Sequence, residues 1–193
     1  MKKTYKVKEI FYTLQGEGYH SGEPAVFVRF SGCNLSCAWC DTDHLKGCEM
    51  TADEIIQSVR ALWHASTAPF VVLTGGEPAL QLDTELIRAL NTLEAYIAIE
   101  TNGTREIPEG IDWITCSPKP HTLVKLHSVN EVKVVFDGVI NPELWRKELH
   151  AEHWLLQPLH NGTSSNIDET VNYILTHPTW CLSVQLHKIL GFK

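Results

Sequence analysis

The chain has 193 residues, short enough for one domain and long enough to bury a substantial core. With 44% hydrophobic residues, 20% charged residues and a net charge of -7, it reads as an ordinary globular chain, with no electrostatic case for nucleic acid or an anionic membrane as partner. The basic start at 1–7 is followed by no long apolar segment, and no run approaches the roughly 20 apolar residues of a membrane span. The expectation is therefore a cytoplasmic chain whose six cysteines stay reduced and serve a metal or catalysis before disulfides.

In chain order, apolar runs at 25–30, 69–74, 96–100, 113–116, 132–136, 154–156 and 181–184 predict buried strands. Near-continuous apolar strands of this length suit a parallel sheet covered by helices. Thr51 with Glu54 three residues on forms a capping box, and Ile55, Ile56, Val59, Leu62 and Trp63 follow as an apolar stripe. Asp83 caps a second helix carrying Leu86, Ile87 and Leu90, and Asn141-Pro142 opens a third. Ser165 or Asn166 opens a fourth, with Ile167, Val171, Ile174 and Leu175 inward. The intervals 100–113 and 117–132 are too short and aperiodic for a full helix. His64, His150, His153 and His177 read as surface residues on helices or their edges. Together these elements predict a single α/β domain over 1–193: an open, abbreviated β/α barrel of about six parallel strands, with helices missing on one side.

Four of the predicted strands end in polar, glycine- or proline-bearing segments: Thr74-Gly75-Gly76-Glu77-Pro78, Glu100-Thr101-Asn102-Gly103, Ser117-Pro118-Lys119 and Gln157-Pro158. Parallel β/α architectures place their sites at the carboxyl ends of strands, so these loops point to one shared pocket.

Cys33, Cys37 and Cys40 fall within eight residues, and Asp41-Thr42 follows at once. Thiolates this dense converge only around a metal, and three of them leave one position open. Structural zinc stays possible, with Cys48 or His44 as a fourth ligand. An electron-transfer cluster needs four cysteines and usually a shorter first gap. Cys116 and Cys181 lie inside apolar runs and read as small core residues.

The Cys33-x3-Cys37-x2-Cys40 pattern, with the aromatic Trp39, resembles the signature of the radical S-adenosylmethionine (SAM) superfamily, and Thr74 to Pro78 resembles its second motif. Residues 10–18, Gly22 to Ala25, Phe27 to Arg29, Trp39 to Thr42 and Gln185 to Lys188 resemble the 7-carboxy-7-deazaguanine synthase family within it. The resemblance runs nearly end to end. It implies a [4Fe-4S] cluster on the three thiolates, with SAM on the fourth iron and a 5′-deoxyadenosyl radical formed on reduction. The implied reaction is rearrangement of 6-carboxy-5,6,7,8-tetrahydropterin to 7-carboxy-7-deazaguanine with loss of ammonia, toward queuosine and related deazapurines.

The same resemblance implies roles for individual residues. Leu14, Gln15 and Gly16 lie against the pterin, Arg29 pairs with the substrate carboxylate, and Thr74 reaches the substrate. Thr42 ligates Mg2+. Trp39, Cys40 and Asp41 contact SAM through the loop backbone. Gly76 meets its methionyl end, where Glu77 or a backbone carbonyl accepts from the amino group. Ser117, Pro118, Lys119 and Gln157 line the rest of the SAM site. His187 and Lys188 either cover the barrel mouth or merely close the last strand. A reducing partner such as flavodoxin or ferredoxin, and a homodimer, are also implied.

Overall fold

The computed structural model describes residues 2–160 and 164–193. Among the described residues nine strands form one sheet: β1 (Thr4–Leu14), β2 (Pro24–Phe30), β3 (Cys48–Thr51), β4 (Phe70–Gly75), β5 (Tyr96–Thr101), β6 (Trp113–Cys116), β7 (Ser128–Phe136), β8 (His150–Pro158) and β9 (Cys181–Leu182), in the order β3-β1-β2-β4-β5-β6-β7-β8-β9. From β2 to β9 every neighbouring pair is parallel, while β1 runs antiparallel to both β2 and β3. The helices are α1 (Ala52–Leu62), α2 (Thr84–Asn91), α3 (Ile167–Thr176) and α4 (Leu186–Leu190). No described helix is long and apolar enough to cross a membrane.

The seven predicted runs all contain parallel strands, and the central ones, β2, β4 and β5, are covered on both faces. On β2, β4 and β5, Val26, Val28, Val71, Leu73, Ile97 and Ile99 pack outward with Ile55 and Val59 of α1 and Leu86 and Leu90 of α2. The alternate residues Phe27, Phe70, Val72 and Ala98 form a second apolar cluster with Phe11 and Trp113 on the other face. Farther along these strands the same inner face turns polar, at Arg29, Thr74 and Glu100. Strand alternation thus sets an apolar floor beneath a polar rim at the carboxyl ends.

Both predicted caps of the first two helices form. Glu54 N–H donates to Thr51 Oγ1 at 3.3 Å while Thr51 N–H donates to Glu54 Oε2 at 2.7 Å, and Leu86 N–H donates to Asp83 Oδ1 at 3.0 Å. Each such cap contributes about 1 kcal/mol. The intervals 100–113 and 117–132 carry no helix, as expected.

Several expectations need correction. The strands β1 and β3 were not foreseen, since β1 mixes Lys6, Lys8 and Glu9 into its pattern and β3 is four residues with no apolar run. Their structure comes from pairing with each other and with β2. Asn141-Pro142 opens only a 3-10 segment, Pro142–Lys147. At α3 the inward face is Thr170, Tyr173 and Ile174, whereas Ile167 and Leu175 are 39% and 74% exposed. Asn166 does not cap this helix through its side chain, which instead bonds Leu159 N–H at 2.8 Å and Phe136 O at 3.0 Å. The strand β9 spans two residues rather than four, and Cys181 in it is exposed, not core. His150 and His153 belong to β8, where the His153 ring lies 4.2 Å from Tyr19 and 5.6 Å from Trp113.

Candidate active site

A cavity of about 570 Å3 opens at the carboxyl ends of the parallel strands. Of the residues singled out in the sequence, Leu14, Gln15, Gly16, Arg29, Cys33, Cys37, Trp39, Cys40, Asp41, Thr42, Thr74, Gly76, Ser117, Lys119 and Gln157 line it together. Pro118 and Glu77 are buried behind its wall.

The Gly75-Gly76-Glu77 segment explains its own composition. A Cβ on Gly76 would collide with the Gly32 carbonyl, and one on Gly75 with the Phe30 carbonyl. Without those side chains, Gly76 N–H donates to Phe30 O at 3.2 Å and Glu77 N–H to Gly32 O at 2.9 Å, so the end of β4 lies flat against the start of the cysteine loop. The Glu77 carboxylate accepts from Thr101 Oγ1 (2.7 Å), Asn102 N–H (2.7 Å) and Ala79 N–H (3.0 Å). Burial raises its pKa, and those donors oppose the rise. Its side chain clamps the ends of β4 and β5 and does not face the cavity.

In the cysteine loop, Cys33 and Cys37 are half-buried and Cys40 is exposed, all as free thiols. Leu35 N–H lies 3.4 Å from Cys33 Sγ, and Cys40 N–H donates to Cys37 O at 3.1 Å. The loop is tied to the end of β5 by Asn102 Nδ2 donating to Asn34 Oδ1 at 3.1 Å. Burial pushes the Cys33 thiol up, and the nearby Glu77, Cys37 and Cys40 add to this. Among the described residues no three His, Cys, Asp or Glu side chains form a group able to hold a single metal ion. Cys33, Cys37 and Cys40 all line the cavity, with no fourth cysteine along its wall among the described residues, and a donor set of three thiols suits an iron–sulfur cluster with one position open. Cys48 sits on β3 and is not among the residues that line the cavity, while His44 does line the wall. Thr42, half-buried, has its hydroxyl 3.5 Å from Asp41 Oδ1.

The floor of the cavity is a charge network that sequence reasoning missed. Lys133, 4% exposed, places Nζ 2.7 Å from Glu17 Oε2 and 2.9 Å from Glu100 Oε2. Gln15 Nε2 donates to Glu100 Oε1 at 3.2 Å. Burial works against the Lys133 ammonium, yet the carboxylates Glu100, Glu17 and Glu131 push its pKa above the ordinary lysine value. Burial likewise opposes ionised Glu17, but Lys133 and a Gln185 hydrogen bond hold it below the usual range, whereas at Glu100 burial wins and the pKa rises. A lysine inside the apolar run 132–136 was the available signal, because a buried ammonium demands partners.

Elsewhere on the wall, Arg29 Nε donates to Glu9 Oε1 at 3.0 Å with its guanidinium 5.6 Å above Phe11. Lys119 Nζ donates to Ser117 O at 2.7 Å and lies 5.3 Å over the Trp39 ring, with its pKa lowered by burial. His187 and Lys188 lie in α4, beyond the last strand, and line the cavity. Leu186 N–H donates to Gly16 O at 2.8 Å, the His187 ring packs on Gly16, and Lys188 Nζ meets Asp41 Oδ2 at 2.5 Å.

Comparison with known proteins places the chain in a family. Residues 27–148 match the Radical SAM superfamily. The chain is 50% identical over 190 residues to the 7-carboxy-7-deazaguanine synthase of Bacteroides thetaiotaomicron, covering 97% of this chain and 98% of that protein. It is 42% identical over 209 residues to the enzyme of the same name from Bradyrhizobium diazoefficiens, covering 98% and 100%. The crystal structure of QueE from Escherichia coli superimposes with a TM-score of 0.75 at 28% identity, covering 95% of each chain. Relatives this similar, matched end to end, leave one conclusion: the chain belongs to the 7-carboxy-7-deazaguanine synthase family of the radical SAM superfamily.

Proposed function

We propose that this chain, acting as one domain, rearranges 6-carboxy-5,6,7,8-tetrahydropterin to 7-carboxy-7-deazaguanine with loss of ammonia, a step toward queuosine and related deazapurines. The observation that carries this reading is that the three thiols and the segment Leu14 to Gly16 line one cavity with Arg29. Cys33, Cys37 and Cys40 would hold a [4Fe-4S] cluster, which would supply one-electron reductive cleavage of SAM.

The chain's own residues bind and orient. Arg29 offers its terminal guanidinium nitrogens to the substrate carboxylate, while Glu9 steadies its Nε. Leu14, Gln15, Gly16 and Thr74 hold the ring, on a floor fixed by Glu17, Lys133 and Glu100. Thr42 contributes a hydroxyl to Mg2+, a hard cation that keeps open positions for substrate oxygens. Trp39, Cys40, Asp41, Gly76, Ser117, Lys119 and Gln157 face SAM. Pro118 shapes the turn from behind, and Glu77 acts by fixing the β4 and β5 ends, which leaves strand-end carbonyls to accept from the SAM amino group. A flavodoxin- or ferredoxin-type reductant, a homodimer and a cytoplasmic location complete the proposal.

The test is anaerobic reconstitution with iron and sulfide, then SAM, reductant, Mg2+ and the carboxypterin, following 5′-deoxyadenosine and the deazaguanine. Failure to assemble a four-iron cluster sinks the enzyme reading. A cluster that cleaves SAM yet never converts the pterin sinks the substrate assignment alone.

A further inference from the structure

We propose that Gln185 is a positioning residue that ties the cysteine loop to the substrate floor and thereby fixes the distance between SAM and substrate. The proposal rests on the function proposed above. Its basis is the path of the segment 183–188, which lies between the loop after β1 and the cysteine loop, two segments at opposite ends of β2. On the floor side, Gly18 N–H donates to Ser183 Oγ at 3.0 Å and Leu186 N–H donates to Gly16 O at 2.8 Å. A Cβ on Gly16 would stand 2.5 Å from the His187 ring, so the two segments are in direct contact.

Gln185 joins both loops through one amide. Its Nε2 donates to Glu17 Oε1 at 2.7 Å and to Asp41 Oδ2 at 3.3 Å, and its Oε1 accepts from Lys188 Nζ at 2.8 Å. Lys188 then closes the triangle on Asp41. Glu17 continues through Lys133 to Glu100, so a continuous polar chain runs from Asp41 into β7 and β5. Asp41 sits between Cys40 and Thr42, and whatever holds Asp41 holds both of them. The side-chain chemistry is selective: two carboxylates face one donor group, which an amide satisfies and a carboxylate at 185 would repel. A misplacement of about 1 Å between reacting partners costs about a hundredfold in rate, so a tie of this kind governs coupling more than binding.

The experiment compares Gln185→Leu with the wild-type holoprotein. The variant is expected to assemble its cluster and cleave SAM, with product per 5′-deoxyadenosine falling about tenfold. Hydrogen exchange should quicken over 38–44 and stay unchanged in α1. An unchanged product ratio, or equal loss of both products, overturns the proposal, as does unchanged exchange over 38–44. If the wild type itself makes no deazaguanine, the proposed function fails instead, and the exchange measurement alone decides whether Gln185 holds the loop.

Discussion

The Lys133 ammonium lies 2.7 Å from Glu17 Oε2, joining a central strand to the loop between β1 and β2 across 116 positions of sequence. Glu100 shares the same ammonium, so two carboxylates offset its loss of hydration. Replacing it with an apolar residue of similar length leaves two half-buried carboxylates facing each other. Lys133→Met is expected to destabilise the protein by about 3–5 kcal/mol in urea unfolding, and to abolish pterin conversion. Adding Glu17→Gln and Glu100→Gln should restore much of the stability without the activity. A loss below about 1 kcal/mol for Lys133→Met would show the network to be a solvated surface pairing instead.

The cysteines divide by position. Cys33→Ala, Cys37→Ala and Cys40→Ala should each abolish the charge-transfer absorbance of the reconstituted cluster and lower bound iron. Cys116 is fully buried, and burial pushes its thiol up to about 12, which makes it inert. Cys116→Ala should cost stability through packing and leave the cluster intact. Cys48→Ala and Cys181→Ala, both at exposed positions, should change neither. Loss of iron on changing Cys48 would mean that the ligand count is four.

What could be read from the sequence was what local chemistry decides. The helices α1 and α2 announce themselves because Thr51, Glu54 and Asp83 satisfy helix ends within three residues. The central parallel strands do so because burial on both faces leaves continuous apolar runs. The site loops follow from cysteine spacing and from glycines where two backbones touch. The remainder depends on partners distant in sequence. β3 exists only because β1 is there to pair with it. At α3 the buried residue is Thr170, whose hydroxyl donates back to Asn166 O at 3.0 Å, so polarity misassigned the face. Glu17, Glu100 and Lys133 meet only through the strand order, and nothing in their spacing foretells it.

Glu131 makes stability depend on pH. It is buried below the floor, with Oε2 accepting Tyr19 N–H at 2.8 Å and Oε1 without a hydrogen-bond partner among the described residues. Burial pushes its carboxyl up to about 7, Glu100 and Glu17 adding to the rise while Lys133 and the Tyr19 amide oppose it. An acid with a raised folded pKa binds its proton more tightly folded than unfolded. Its contribution is complete below the ordinary carboxyl pKa of about 4.3 and is lost as pH rises through about 7. The loss is on the order of 3 kcal/mol. Glu131→Gln mimics the protonated form and removes this slope, so its stability relative to wild type should improve as pH rises from 5 to about 7 and level off above that. Parallel pH slopes for the two proteins would sink the assignment.

Thr42 is the sharpest test of a second metal. Its hydroxyl follows Cys40 by two positions and faces the cavity that also holds Arg29, so an ion there would sit between the cluster loop and a substrate carboxylate. One hydroxyl binds Mg2+ weakly, and the affinity must come largely from substrate oxygens, which makes the ion part of substrate recognition. Thr42→Ala is therefore expected to assemble its cluster and cleave SAM normally, while the stimulation of product formation by Mg2+ falls about tenfold. Thr42→Ser keeps the hydroxyl and should keep the response. Titrating Mg2+ against product rate in the three proteins decides the matter: a Thr42→Ala curve that overlays the wild type removes Thr42 from the metal site and returns it to the role of a turn residue beside Asp41.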